Sequence, residues 1–336
     1  MKKKKENPIV EEQKHLFEII KSKISNKTGL VYEIEDLLEV SGESVYRRIK
    51  GETLLDFAEL IKICQRYNVS IDEMLNYKPN KSVLFEYKPV VISDNESYMA
   101  YMEHLLNTMD MVAKSPLEKE LISAAQDVPF YHFYKYPDLA YFRLYVWNDT
   151  LFRNKMSFNQ FCDLLDKNRI KSIYEQIYQT YISIPAREIW TENTIDATIR
   201  LIAYHFETGS FDSKDSVLFL LDRFSSLIDT MKQYADDGYK GNEKKIPFEL
   251  HYCSVDLENN FMLMRKGEQM LCILQLYAIN RITTDNELIC TESKKWVDSM
   301  ISKSILISGD GAFRERFLFF ERAKEKIHEL IKKAIA

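Results

Sequence analysis

The chain has 336 residues, with 46 Lys+Arg against 51 Asp+Glu for a net charge of −5, and is 46% hydrophobic. That length suggests two or three domains, and the slight acidity argues against coating of nucleic acid by a broad basic field. With 9 Gly and 8 Pro, well below their usual combined share of about 12%, helix should dominate.

The Lys run at residues 2–5 has no apolar signal core after it and reads as a solvated tail, with no export implied. A first helix is expected from Asn7 and Pro8, with Ile9, Leu16, Phe17, Ile20 and Ile24 on one face. Leu30, Val31, Ile34, Leu37 and Leu38 give a second apolar helical pattern. A third short helix lies within residues 41–52, SGESVYRRIKGE. A fourth starts at Asp56, with Glu59 completing a capping box and Leu55 and Leu60 placed as a hydrophobic staple. Asn68 suits a left-handed turn, and Ser70, Glu73, Val69 and Met74 repeat the box and staple for a fifth helix.

This layout resembles the phage-repressor-like (Xre-type) helix-turn-helix family over residues 9–76. Glu39-Val40-Ser41 match the turn, Ser44-Val45-Tyr46-Arg47 the recognition helix and Gly51 its end. Residues 60–64 and 68–75 match the fourth and fifth helices. The family often places Gln near the start of helix two, whereas Val31-Tyr32-Glu33 supplies none. The resemblance implies major-groove DNA binding by the third helix. At about 100° per residue, Val45 and Ile49 must face the core, which aims Arg47 away from it. Glu43, Lys50 and Ser44 flank Arg47, while Tyr46 and Arg48 sit at the edges, nearer the phosphates. Arg suits guanine acceptors, Glu can accept from cytosine, and Lys is a mobile cation. The candidate DNA-binding residues are therefore Ser41, Glu43, Ser44, Tyr46, Arg47, Arg48 and Lys50. The first 80 residues carry 14 basic and 14 acidic side chains, so any reading head is only locally basic.

Residues 77–96 read as a linker punctuated by Pro79 and Pro89, with a short strand at 82–87. From 97 to 240 the pattern is helical, with expected starts at Ser115-Pro116-Leu117-Glu118 and Ser157-Phe158-Asn159-Gln160. Longer helices fit residues 170–181, 195–206 and 216–234, which suggests antiparallel hairpins. Residues 246–291 are rich in β-branched and aromatic side chains, with a hairpin turn at Lys266-Gly267-Glu268. A helix near 296–303, a break at 308–311 and a final amphipathic helix over 312–336 follow. The apolar side of that last helix is expected at Phe313, Phe317, Phe320, Ile327 and Leu330. The expected fold is mainly α: a five-helix helix-turn-helix domain (1–76), a linker (77–96), an all-helical domain of hairpins (97–240) and a small α+β module docked on it (241–336).

No phosphate loop, dinucleotide fingerprint or zincin motif occurs. His251 and Cys253 would share a strand face but lack a second ligand pair. No enzyme, metal or cofactor is expected. The aromatic stretch at 130–152 fits core plus interface, with a small-molecule pocket as the alternative. Five scattered Cys suggest reduced thiols in a cytoplasm, and no apolar run approaches the roughly 18 residues of a membrane span. The expectation is a DNA-binding transcriptional regulator, a homodimer through its C-terminal region, open to a small-molecule or protein effector. The alternative is an interaction scaffold that keeps the fold without binding double-stranded DNA.

Overall fold

The computed structural model describes residues 7–23, 29–71, 83–90, 94–152, 156–241, 245–257, 259–277 and 279–335. The chain divides into two compact units, Met1–Leu84 and Phe85–Ala336.

The first unit contains α1 (Pro8–Lys23), α2 (Leu30–Leu38), α3 (Gly42–Ile49) and α4 (Phe57–Tyr67). The Lys run at 2–5, Ile24 and the expected fifth helix beyond Ile71 lie outside the described residues. Leu16, Phe17, Ile20, Ile34, Val45 and Ile63 form one core; Ile9, expected on the same face of α1, is exposed instead. The Asp56–Glu59 capping box closes in both directions, and Leu55 and Leu60 pack on the core as a staple would. Asn68 ends α4 in the left-handed region at φ 50°.

Two devices fix α3. Buried Gln13 of α1 donates to the carbonyls of Arg48 (2.7 Å) and Thr53 (2.9 Å) and accepts from the Leu55 N–H (2.8 Å). All three bonds hold the segment leaving α3 against α1. Gly51 turns the chain at φ 75°, where a Cβ would lie 2.5 Å from Val10 Cγ1, so only glycine fits.

The second unit overturns the mainly-α expectation. It is an α/β fold. Its strands are β1 (Glu86–Tyr87), β2 (Lys119–Ala125), β3 (Ala186–Trp190), β4 (Tyr239–Lys240), β5 (Ile246–Tyr252), β6 (Phe261–Lys266), β7 (Gln269–Tyr277), β8 (Asn280–Thr284) and β9 (Ile305–Leu306). They form one mixed sheet in the order β1-β8-β7-β6-β2-β3-β5-β4, with β9 also paired to β5. The pairs β2–β3 and β3–β5 are parallel, and β6, β7 and β8 continue from β2 as an antiparallel meander.

Its helices are α5 (Asn95–Ala113), α6 (Phe130–Phe133), α7 (Pro137–Phe152), α8 (Phe158–Asp163), α9 (Lys167–Ile182), α10 (Asn193–Glu207), α11 (Lys214–Asp237), α12 (Glu287–Ser302) and α13 (Phe313–Ile335). Parallel neighbours need crossovers of a dozen or more residues. The helices between β2 and β3, and between β3 and β5, are such crossovers rather than members of a free-standing helical domain. No small module exists apart from them, because strands from both sides of residue 240 share the sheet.

Alternation along the strands sorts the two faces. Leu121, Ala125, Ala186, Trp190, Phe248, Leu250, Met262 and Ile273 face the large helical core. Ile122, Ala124, Ile189, Leu263 and Cys272 face the other side, where Cys290, Val297 and Met300 of α12 cover them. The hairpin turn falls where the sequence places it, with Gly267 at φ 59°. The Ser157–Gln160 capping box starts α8. The expected helix start at Ser115 is not one: the Ser115 hydroxyl accepts from the Leu117 N–H, and β2 begins two residues later. On α13 the buried side is Phe319, Phe320, Ala323, Ile327 and Leu330, while Phe313 and Phe317 are exposed.

Candidate functional site

The helix-turn-helix is built locally. Glu39 ends α2 in the left-handed conformation, φ 56°, and Ser41 caps α3 by accepting from the Ser44 N–H. The Glu35 carboxylate of α2 accepts from the Gly42 N–H at 3.0 Å. A negative group thus sits at the positive end of α3 and ties the two helices across the turn. Val45 is fully buried and Ile49 half-buried, as a core-facing pair must be.

Opposite them, Glu43, Tyr46, Arg47 and Lys50 are exposed. Arg47 is held only loosely, 3.8 Å from an equally exposed Glu52. Lys50 Nζ lies 4.6 Å from the centre of the Tyr46 ring. Ser41 is exposed and Ser44 half-buried, each engaged in capping or in holding Arg48.

Arg48 has a different place from the phosphate-facing edge expected for it. Its Nη2 and Nε donate to the two Glu59 carboxylate oxygens at 2.7 and 3.0 Å, and Nη1 donates to the Ser44 carbonyl at 3.2 Å. The side chains of Arg48 and Glu59 are only 13% and 14% exposed. Glu59 also accepts from the Asp56 N–H, so this carboxylate closes the α4 cap and anchors α3 at once. The sequence shows the capping role of Glu59; its second role depends on how α3 and α4 pack.

The α/β unit contains a buried polar centre that the sequence does not reveal. Glu188 of β3 is fully buried. It accepts hydrogen bonds from Tyr131 (2.9 Å), His132 (3.0 Å), Tyr181 (2.8 Å) and the Trp190 indole N–H (2.9 Å). Burial pushes the carboxyl up, but His132 and the Tyr181 hydroxyl outweigh it and hold Glu188 below the usual carboxylate range. Burial, reinforced by the Glu188 charge, pushes the Tyr131 and Tyr181 hydroxyls well up. Lys240 is also fully buried, donating to the Tyr181 carbonyl at 3.0 Å with its Nζ 3.6 Å from the Tyr181 ring centre. Burial pushes its ammonium down to about 7, against the opposing pull of Glu188. One carboxylate thus joins α6, α9 and β3, and its four donors leave no lone pair facing solvent.

The other singled-out positions have structural partners. His251 is buried, with Nε2 3.0 Å from Glu249. The 308–311 break is held by Arg316, which donates to the carbonyls of Ile307, Gly309 and Gly311. Among the described residues no group of three His, Cys, Asp or Glu is arranged to hold a metal ion. Much of the aromatic stretch is core: Tyr131, Phe133, Tyr141, Phe142, Tyr145 and Trp147 are buried. No described helix is long and apolar enough to cross a membrane. No family model, no curated protein and no solved structure matches the chain.

Proposed function

We propose that the protein is a sequence-specific DNA-binding transcriptional regulator that presents α3 to the major groove. The observation that carries this reading is the two-sided α3: Val45 buried on one side, Glu43, Arg47 and Lys50 exposed on the other, after a turn fixed by Glu39 and Ser41. Arg47 is the principal base reader, with Lys50 and Glu43 beside it. Ser41 and Ser44 shape the start of the helix, with Ser41 capping the Ser44 N–H. Arg48 supports the head from within.

A single unit reads only a few base pairs, so the active species is a homodimer held through residues 97–336. Phe313, Phe317 and Ile335 of α13, left exposed at 71, 49 and 63%, supply apolar surface for it. Light scattering should give twice the chain mass at micromolar concentration, and a strict monomer would remove this part. Five free, buried cysteines suit a reducing cytoplasm.

The second reading, an interaction scaffold, is favoured by Tyr32, Tyr46 and Phe57, exposed at 76, 53 and 72%; interfaces are enriched in aromatic side chains. Selection of bound sequences from a random duplex pool by the purified full-length protein separates the two. An enriched motif whose affinity falls steeply with salt supports the regulator. No enrichment at low salt leaves the scaffold.

A further inference from the structure

Part of the aromatic stretch does not close on itself. At the carboxyl end of β2, between α5, α6 and the β7–β8 edge, a cavity of about 90 Å³ opens toward solvent. In α/β sheets, ligands collect outside the carboxyl ends of the parallel strands, where chain connections diverge. Here β2 leads by crossover to β3 on one side and is flanked by the antiparallel β6 on the other. The walls are flat and apolar. Tyr134 stacks on Tyr174 with centroids 4.3 Å apart, and Phe130, Phe133 and Met262 complete the lining.

Three charged side chains reach this cavity: Asp127, Arg143 and Arg281. Asp127 is already committed. It pairs with Arg143 Nη2 at 2.5 Å and accepts from the Val128 N–H and the Thr198 hydroxyl. Arg143 Nη1 is buried with no hydrogen-bond partner. Arg281 is half-buried, its guanidinium 3.6 Å from the centre of the Phe130 ring and facing the Tyr134 hydroxyl. No carboxylate pairs with it among the described residues. Two cations against one carboxylate leave the lining with one excess positive charge and spare donors. Such a charge beside an apolar wall is costly unless a counter-ion meets it.

We propose that this cavity binds a small aromatic carboxylate, with the ring against its apolar wall and the carboxylate on Arg281, within reach of Arg143. The volume limits the ligand's size: at about 90 Å³ the cavity is smaller than the roughly 150 Å³ that encloses benzene, so a single ring enters only in part, through the open side, and nucleotides and peptides are excluded. The fork of Arg281 selects a planar carboxylate over a neutral amide. The inference does not depend on DNA binding, and its test uses no DNA.

Isothermal titration of the full-length chain with benzoate, benzamide and inorganic phosphate tests it. Benzoate should bind saturably, with benzamide and phosphate each at least about tenfold weaker. Arg281→Gln should weaken benzoate roughly 10- to 100-fold and leave benzamide unchanged, while Arg281→Lys should recover part of the loss. Circular dichroism checks that the variants fold, and the wild-type comparison of three ligands stands without them. No saturable benzoate binding at millimolar concentration overturns the proposal. Equal binding of benzamide overturns the role of charge, and equal binding of phosphate overturns the role of the ring.

Discussion

Arg48→Ala removes a side chain that the sequence places near the DNA and the structure places between two helices. The loss can be sized from its contacts. An exposed ion pair contributes about 0–1 kcal/mol, and breaking a fully buried one costs about 3–5 kcal/mol. At 13% and 14% exposure, with two hydrogen bonds to the Glu59 carboxylate and one to the Ser44 carbonyl, this pair lies near the buried limit. Glu59 keeps its bond to the Asp56 N–H, so the α4 cap survives in part, and about 2–3 kcal/mol is the expected loss. For a unit of this size each kcal/mol moves Tm by about 4–8 °C, so the transition of the first unit should fall by roughly 8–24 °C. Calorimetry on the full-length chain reads this directly, and the transition of the α/β unit serves as an internal control. DNA affinity measured well below the lowered Tm should then be close to wild type. The opposite pattern, an unchanged Tm with uniformly weaker DNA binding and a flatter salt dependence, would overturn the supporting role and return Arg48 to a phosphate contact.

Arg47→Ala should behave in the converse way: no change in Tm, since its side chain is 58% exposed, and a loss of about 1–3 kcal/mol in specific affinity with relaxed preference at one base pair. Gel shifts against the selected site and single-base variants check this. Gly51→Ala should destabilise the first unit by about 1–3 kcal/mol in urea unfolding, because φ is 75° and the new Cβ would press on Val10; an unchanged midpoint would contradict the close approach. For Lys240, the folded pKa of about 7 lies below the unfolded value of about 10.4. Between them the unfolded chain binds the extra proton, so this lysine makes stability rise with pH, by up to about 1.4 kcal/mol per pH unit. Urea unfolding of wild type and Lys240→Met from pH 7 to 9 should show the slope reduced in the variant; equal slopes would mean that Lys240 keeps its proton when folded.

Features set by neighbours along the chain are legible in the amino-acid order alone. The caps at Asp56 and Ser157, the left-handed Asn68, the hairpin at Gly267 and the register that buries Val45 and exposes Arg47 all follow from spacing within a few residues. The remainder depends on partners that are distant in the chain. Lys119–Ala125 and Ala186–Trp190 carry no strong β signal of their own; they are strands because β6 and β5 supply partners from beyond residue 240. Strand propensity reports packing on a half-buried surface more than backbone preference, so a five-residue strand between long helices reads as a loop until its neighbours exist. The same holds for side chains. Arg48 is a support because α4 brings Glu59 to it, and Glu188 is a hub because α6 and α9 bring Tyr131, His132 and Tyr181. Arg281 stands beside Phe130 only because the β8 edge of the sheet lies against α6. Hydrogen bonds and ion pairs act over a few ångströms of space, whatever the separation in sequence, and a local pattern cannot show which distant groups the fold will bring within that range.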